Sequence, residues 1–418
     1  MEQLLGDFSK SHGINCINLR MFNVYGKGQN INYAGVITRF LENIKNEDDL
    51  TIFGDGESTR DMGKFACMGM VKNYDDKWTP NCFYQSDLDV LQQFIDNSEL
   101  EIEPLELGYQ QWEEGRLTYL HCGPNVLSGP IPPEIGNLTN LTKLDISNNQ
   151  LTGSIPPEIG NLNDLTELWL QSNQLTLIPS EMGALSNLRI LSLNNNQLTG
   201  SIPPEIGGLN NLAELLLDYN QLTLIPLEIG SLSNLTKLDL TSNPLTGTIP
   251  SEIGDLSNLT YLSFSGLEEG NDLTGPIPPE IWNLTNLTDL IFFNNDLTGS
   301  IPPEVENLTN LTFLTLYSNN LTGTLPQEIG NLTNLRHLSV GSNELTGSIP
   351  TEIGDLTELF RLGLGNNQFS GQVPESICDL DINFDNDYYF YIYNNQLCPP
   401  YPYCIEEYVG VQDTTNCD

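Results

Sequence analysis

Few residues of this 418-residue chain stand where chemistry could happen, and those that do point to cross-linking more than to catalysis. The three histidines, His12, His121 and His337, are scattered and form no metal or triad constellation. Gly26-Lys27-Gly28 follows a strand-like stretch but is only a GxG, whereas a phosphate-cradling turn needs GxGxxG. The segment DLDINFDND at 379–387 alternates carboxylates as a calcium loop does, yet it lacks the glycine at the sixth position and the glutamate at the twelfth. No metal site and no cofactor is read from these residues. The eight cysteines carry more information. Cys378, Cys398, Cys404 and Cys417 crowd the C-terminus, Cys67, Cys82 and Cys122 precede a long cysteine-free middle, and Cys16 lies apart. Disulfides placed as end-caps imply an oxidising, extracellular or cell-surface setting, and the four C-terminal cysteines allow three pairings. The opening MEQLLGDFSKSHGINC lacks the basic and apolar regions of a secretory signal, which conflicts with that setting.

A second set of residues suits recognition. Trp169, Leu216, Tyr219, Tyr261, Ile291, Phe293, Phe313 and Tyr317 are bulky and apolar, yet the pattern around them turns them toward solvent. Exposed clusters of this composition resemble binding hot spots. Asp145, Asp218, Asp239 and Asp289 lie among them, so a fitting ligand has an apolar core with basic or hydroxyl-rich edges.

What positions these residues is repetition. LTKLDISNNQLTGSIPPEIGNLTN from 141 recurs as LRILSLNNNQLTGSIPPEIGGLNN from 188 and LTFLTLYSNNLTGTLPQEIGNLTN from 311. The first leucines fall at 117, 141, 165, 188, 212, 235, 259, 287, 311, 335 and 359, a period of 24 residues with two units of 23 and one of 28. The two short units read LTLIP at 175–179 and 222–226, and the long one carries the insertion GLEEGND at 266–272. In each unit the LxL pair, such as Leu144 and Ile146, alternates with exposed residues and predicts a short strand with one face inward. The recurrent asparagine (149, 173, 196, 220, 243, 295, 319, 343 and 367) falls where the chain turns inward, and a buried amide there satisfies backbone groups the turn leaves unpaired. IPxEIG supplies an isoleucine to the core, a proline that ends the extended stretch and a short helical turn closed by glycine.

The pattern LxxLxLxxNxL, in the form LTGxIPxEIGxLxNL, resembles the plant-type leucine-rich repeats of receptor ectodomains and polygalacturonase-inhibiting proteins, over about 300 residues. The resemblance implies an α/β solenoid, a right-handed superhelix with a parallel sheet on its concave face. Strand centres from 120 to 390 give about twelve rungs, about 55 Å of sheet at roughly 4.8 Å each. A single rung cannot bury its apolar edge, so both ends need caps. DLDVLQQFID at 87–96 puts Leu88, Val90, Leu91, Phe94 and Ile95 on one helical stripe and serves the N-terminal end. FYIYNNQLCPPYPYC at 390–404 serves the other, and its partial resemblance to the NxxLCGxPLxxC caps of plant ectodomains implies a Cys398–Cys404 pair.

The first sixty residues read differently. INLRMFNVYGKGQNINYAGVITRFLENI followed by LTIFGDGESTRD resembles the C-terminal half of NAD-dependent epimerase/dehydratases of the extended short-chain dehydrogenase family. The resemblance implies that Asn23 and Arg60 once faced a nucleotide-sugar, Arg60 on its diphosphate. The family's dinucleotide turn and catalytic Tyr-xxx-Lys belong upstream of Met1, so this part is expected to be a vestigial, incomplete α/β fragment. The chain then divides into this fragment (1–62), a seam (63–86), an N-terminal cap (87–116), repeats (117–377) and a cysteine-containing cap (378–418).

Composition narrows the partners. The net charge is −40, and residues 113–418 hold 6 basic against 37 acidic residues. Such a surface repels phosphate backbones and anionic membranes, so nucleic acid is excluded as a partner. No run of 18 apolar residues exists to span a membrane. Ten N-x-[ST] sequons occur, at Asn137, Asn140, Asn234, Asn258, Asn283, Asn286, Asn307, Asn310, Asn320 and Asn331, most of them by-products of the repeated NLTNLT. The expectation is a non-enzymatic module that binds protein, peptide or glycan on the concave face. The alternatives are a partner-dependent sugar-nucleotide epimerase remnant and a structural adhesion repeat.

Overall fold

The computed structural model describes residues 65–72, 78–266 and 271–417. Asn23, Arg60 and the rest of the epimerase-like fragment lie outside the described residues.

An antiparallel pair, β1 (Phe65–Lys72) and β2 (Trp78–Tyr84), leads into α1 (Gln85–Asn97). The stripe Leu88, Val90, Leu91, Phe94 and Ile95 is buried against the first repeats. Beside it Asp87 is wholly buried, a placement with no signature in the helical stripe. Its carboxylate accepts hydrogen bonds from the Leu117 backbone N–H at 2.9 Å and from Arg116 Nε at 3.1 Å, tying the helix to the first rung. Burial pushes its pKa up against the pull of those partners.

The solenoid follows. β3 (Tyr109–Glu113) pairs antiparallel with β4 (Arg116–His121), and from β4 onward twelve parallel strands run in chain order to Phe390–Tyr391. Each is short because only the LxL core is needed to make the step, and the central leucine of each repeat, as in Leu144, Leu168 and Leu290, is fully buried. Central leucines face one another in register from Leu120 through Leu362, so every outward residue also forms a row. Smaller parallel sheets, such as the one joining Thr246–Thr248, Asp272–Pro276 and Asp296–Thr298, run along a second side.

The asparagine ladder forms as read. Asn220 Oδ1 accepts from the Leu198 backbone N–H at 3.0 Å, and its Nδ2 donates to the carbonyls of Leu193 and Leu217, each at 3.0 Å. Asn271 belongs to this ladder too. It is buried, accepts from the Leu245 N–H at 3.2 Å and donates to the Phe264 carbonyl at 2.9 Å. The extra residues of the 28-residue unit therefore precede Asn271, because the repeat frame resumes there and Asp272 already pairs with Thr246.

The glycine of EIG does other work than closing a helical turn. Its φ is not positive, but a Cβ on Gly136 would stand 2.6 Å from the carbonyl oxygen of Glu158 in the next turn. The constraint is close stacking of successive 3-10 turns, such as Pro133–Asn137 on Pro157–Asn161. Within the repeats the left-handed glycines are those of LTG and its variants LSG and FSG, as at Gly153 with φ of 76°. In the two short units a single leucine replaces the Gly-Ser step, leaving Leu177 and Leu224 half exposed.

The C-terminal disulfides join Cys378 to Cys404 and Cys398 to Cys417, which corrects the Cys398–Cys404 pairing implied by plant ectodomain caps. Ile405 is wholly buried, and this draws the preceding turn onto the core beneath the 3-10 turn Glu375–Asp379 that carries Cys378. Cys398 ends the strand Gln396–Cys398 and meets the chain's tail instead.

Candidate functional site

The outward rows of the main sheet make one continuous surface. The first contains Asp145, Trp169, Ser192, Leu216, Asp239, Ser263, Ile291, Thr315, Ser339 and Gly363, each opposite the next. Of the sequence-derived candidates, Trp169, Leu216 and Ile291 lie in this row and are partly exposed. Tyr261 and Phe313 lie two residues earlier, in the row that also holds Lys237 and Asp289. Phe293 and Tyr317 follow two residues later in their strands' continuation, partly exposed. Tyr219 stands apart, 46% exposed in the turn after its strand, with φ of 54°. Asn or Ser holds the equivalent left-handed position at 148, 172, 195, 242, 294, 318, 342 and 366. An aromatic there carries a backbone cost of about 1–2 kcal/mol that core packing does not require.

Charge is organised along these rows. At the N-terminal end His121 Nδ1 is 2.8 Å from Asp145 Oδ2, and Lys143 Nζ is 2.6 Å from Glu167, whose other oxygen accepts from Trp169 Nε1 at 3.4 Å. At the middle, Tyr261 Oη donates to Asp239 Oδ2 at 3.2 Å while Lys237 Nζ lies 4.9 Å from the centre of the Tyr261 ring. Burial, and then the neighbouring Asp239, push Asp218 up to about 6. Burial and the same carboxylate also raise the Tyr261 phenol. Toward the other end burial, helped by Arg361, pulls His337 down to about 4, leaving a neutral ring in edge contact with Phe313 at 5.7 Å.

The small residues of the tenth and eleventh rungs, Ser339, Gly341, Gly363 and Gly365, mark no bare end of this surface. Tyr391, from the last strand, lies across Gly363 and Gly365 and reaches Ser339, and it is only 8% exposed. A Cβ on Gly363 would stand 2.2 Å from that ring. The signal was present as a glycine column ending at a tyrosine, but only the register reveals that one fills the other. Tyr393 and Tyr388 add exposed aromatic surface beside it, with Arg361 4.2 Å from the centre of the Tyr388 ring. Among the described residues no three metal-ligating side chains converge. The shallow open depressions lie elsewhere, on the lateral face lined by Thr166, Arg189, Asn211 and Thr236.

Comparison with known proteins agrees with this geometry. Leucine-rich repeat families match residues 139–181, 163–222 and 234–256, and a leucine-rich repeat region matches 250–381. The NAD dependent epimerase/dehydratase family matches residues 1–64. Among solved structures, the plant peptide hormone receptor RGFR1 in complex with RGF2 is 40% identical over 65% of this chain and 42% of that one, with a TM-score of 0.61. The Arabidopsis receptor kinase HAESA, in complex with the peptide hormone IDA and the co-receptor SERK1, is 29% identical over 75% of this chain and 54% of that one, with a TM-score of 0.64. A leucine-rich repeat protein of Leptospira interrogans is 39% identical over 66% of each chain, with a TM-score of 0.54. The chain thus spans about half the length of the receptor structures it matches. It is a leucine-rich repeat protein, its repeats similar to those of plant receptor ectodomains, joined to a segment of the NAD-dependent epimerase/dehydratase family at its N-terminus.

Proposed function

We propose that the repeat region is a non-enzymatic recognition module, acting outside the cell or at its surface, that seats a ligand on the outward rows of the main sheet. The observation that carries this is the run of partly exposed Trp169, Leu216, Tyr261, Ile291, Phe293, Phe313 and Tyr317 on a face that the core does not need. Tyr219 extends it from the turn position at which other rungs carry Asn or Ser. A peptide or a protein segment is the first ligand class, because matched receptors are solved with peptide hormones. Asp218, Asp239 and Asp289 among the apolar groups favour one with basic side chains, and a glycan is the second class. Selection of a random peptide library on the immobilised full chain tests this. Enrichment of Lys or Arg beside apolar residues is expected, with binding lost on Phe293→Ala. Peptides that bind Phe293→Ala and Trp169→Ala unchanged would refute it.

The match of residues 1–64 to the epimerase/dehydratase family supports a second reading, in which Asn23 and Arg60 retain part of a nucleotide-sugar site that a partner completes. Equilibrium binding of labelled NAD and UDP-sugar separates the two readings. Saturable binding lost on Arg60→Ala favours the remnant enzyme, and none is expected for the recognition module. A purely structural repeat binds neither class of probe.

A further inference from the structure

Seven of the ten sequons fall into two structural classes that the sequence does not distinguish, while Asn320 and Asn331 donate instead to the carboxylates of Asp296 and Glu306. At Asn234, Asn258, Asn286 and Asn310 the side chain is a rung-to-rung strut. Each Nδ2 donates to a backbone carbonyl of the preceding repeat, those of Asn210, Ser233, Ser257 and Thr285, at 2.8–2.9 Å. The threonine of each of these sequons does the same, as Thr236 Oγ1 does to the Ala213 carbonyl at 2.9 Å. Non-sequon residues Asn187 and Asn211 hold the same position with the same bond, so this ladder is structural in origin. All seven are exposed, but at Asn137, Asn283 and Asn307 the side chain sits at the end of a 3-10 turn, with no partner for its Nδ2 among the described residues.

We propose that Asn137, Asn283 and Asn307 are N-glycosylation sites and that the four ladder asparagines are not. In the transfer, Nδ2 bonds to C1 of the first sugar of a lipid-diphosphate oligosaccharide. The C1–O bond breaks, the lipid diphosphate leaves with its electron pair, and one amide proton goes to a base. At the three free sites the folded chain accepts the product without losing a contact. On the ladder a pyranose ring replaces one Nδ2 proton beside a carbonyl only 2.8 Å away, with the next rung about 4.8 Å distant. The ring must then be housed beside that carbonyl and the next rung, in a stack where each rung has only its neighbours to hold it. Asn140 separates this account from one based on sequence alone. It occupies the ladder position with the ladder's N-L-T, but at this second rung its Nδ2 donates to no carbonyl among the described residues. It therefore belongs with the permissive class.

This inference rests on the extracellular reading, but not on the sheet binding any ligand, so the two fail separately. The test is secretion of the full chain behind a cleavable signal from a eukaryotic cell line, followed by enzymatic deglycosylation in heavy-oxygen water and peptide mass spectrometry. The secreted chain is expected to carry glycans at Asn137, Asn283 and Asn307 and to be largely bare at the four ladder sites. Asn140 is read in an Asn137→Gln chain, where occupancy like that of the free sites is expected. Equal occupancy in both classes, a secreted chain bare at the three free sites, or an Asn140 as empty as Asn234 would each overturn the proposal. Asn283→Gln should remove one glycan with unchanged Tm, whereas Asn286→Gln should lower Tm without changing the glycan count.

Discussion

The phenol of Tyr391 meets the hydroxyl of Ser339 at 2.7 Å across two rungs, although 52 residues separate them in the chain. Gly363 lies between the two in the same row. A last-strand side chain is thereby laid over the tenth and eleventh rungs, and the cap and the candidate ligand surface become one structure at that end.

Gly363→Ala should displace the Tyr391 ring, since the new Cβ would fall 2.2 Å from it. We expect a loss of about 1–3 kcal/mol by overpacking, confined to the C-terminal rungs. Tyr391→Phe should cost about 1 kcal/mol, for one hydrogen bond. In a Tyr391→Ala chain the glycine substitution should become nearly neutral. Additive effects in that double-mutant cycle, read by chemical denaturation, would separate the two residues.

Phe293→Ala and Trp169→Ala should leave stability within roughly ±0.5 kcal/mol, because both side chains face outward. If they anchor a ligand, each should weaken its binding by about 2 kcal/mol. Leu290→Ala, at a fully buried position, should cost about 2–5 kcal/mol of stability. Early unfolding of Phe293→Ala with normal binding of the folded fraction would place that ring in the core.

Asn220→Ala and Asn211→Ala test the two asparagine ladders. Asn220 is buried and serves four backbone groups, so its loss should cost roughly 2–4 kcal/mol as those groups are left unpaired. Asn211 is exposed and makes one bond, to the Ser186 carbonyl, so about 1 kcal/mol or less is expected. Denaturant midpoints at constant m-value give both numbers.

Asp218 gives the surface a pH dependence. Its folded pKa of about 6 lies above the ordinary 3.8, so between those values the folded chain binds more protons than the unfolded chain. Stability from this group is therefore highest at low pH and falls as pH rises through 6. Affinity for a cationic ligand should run the other way, rising as the carboxylate ionises. His337, pulled down to about 4, is neutral between pH 5 and 7. Asp218→Asn should flatten that part of the binding profile, and an unchanged slope between pH 5 and 7 would assign it to another group.

Reduction of the Cys378–Cys404 and Cys398–Cys417 bonds should loosen the last rungs first, because a solenoid end has one neighbour only. Hydrogen exchange after reduction should rise around Phe390 and Leu397 before it rises around Leu238. Cys378→Ser with Cys404→Ser should cost about 2–4 kcal/mol of local stability.

The sequence by itself determined the repeat, the strand in each unit, the buried asparagine and the side of the sheet on which Trp169 or Phe293 emerges. A period of 24 residues with LxL leaves one arrangement that buries the paired LxL positions of every unit, and each unit needs only its neighbours to adopt it. Tertiary structure decided what depends on the distance between units. The disulfide partners follow from how Ile405 pulls its turn onto the core, not from cysteine spacing. The buried Asp87 follows from where α1 meets the first strand, and the EIG glycine from how closely one turn stacks on the next. Tyr391 over Gly363 is the clearest case. A glycine and a tyrosine 28 residues apart have no local relation, and only parallel stacking in register brings them into one row and lets one residue fill the space the other leaves.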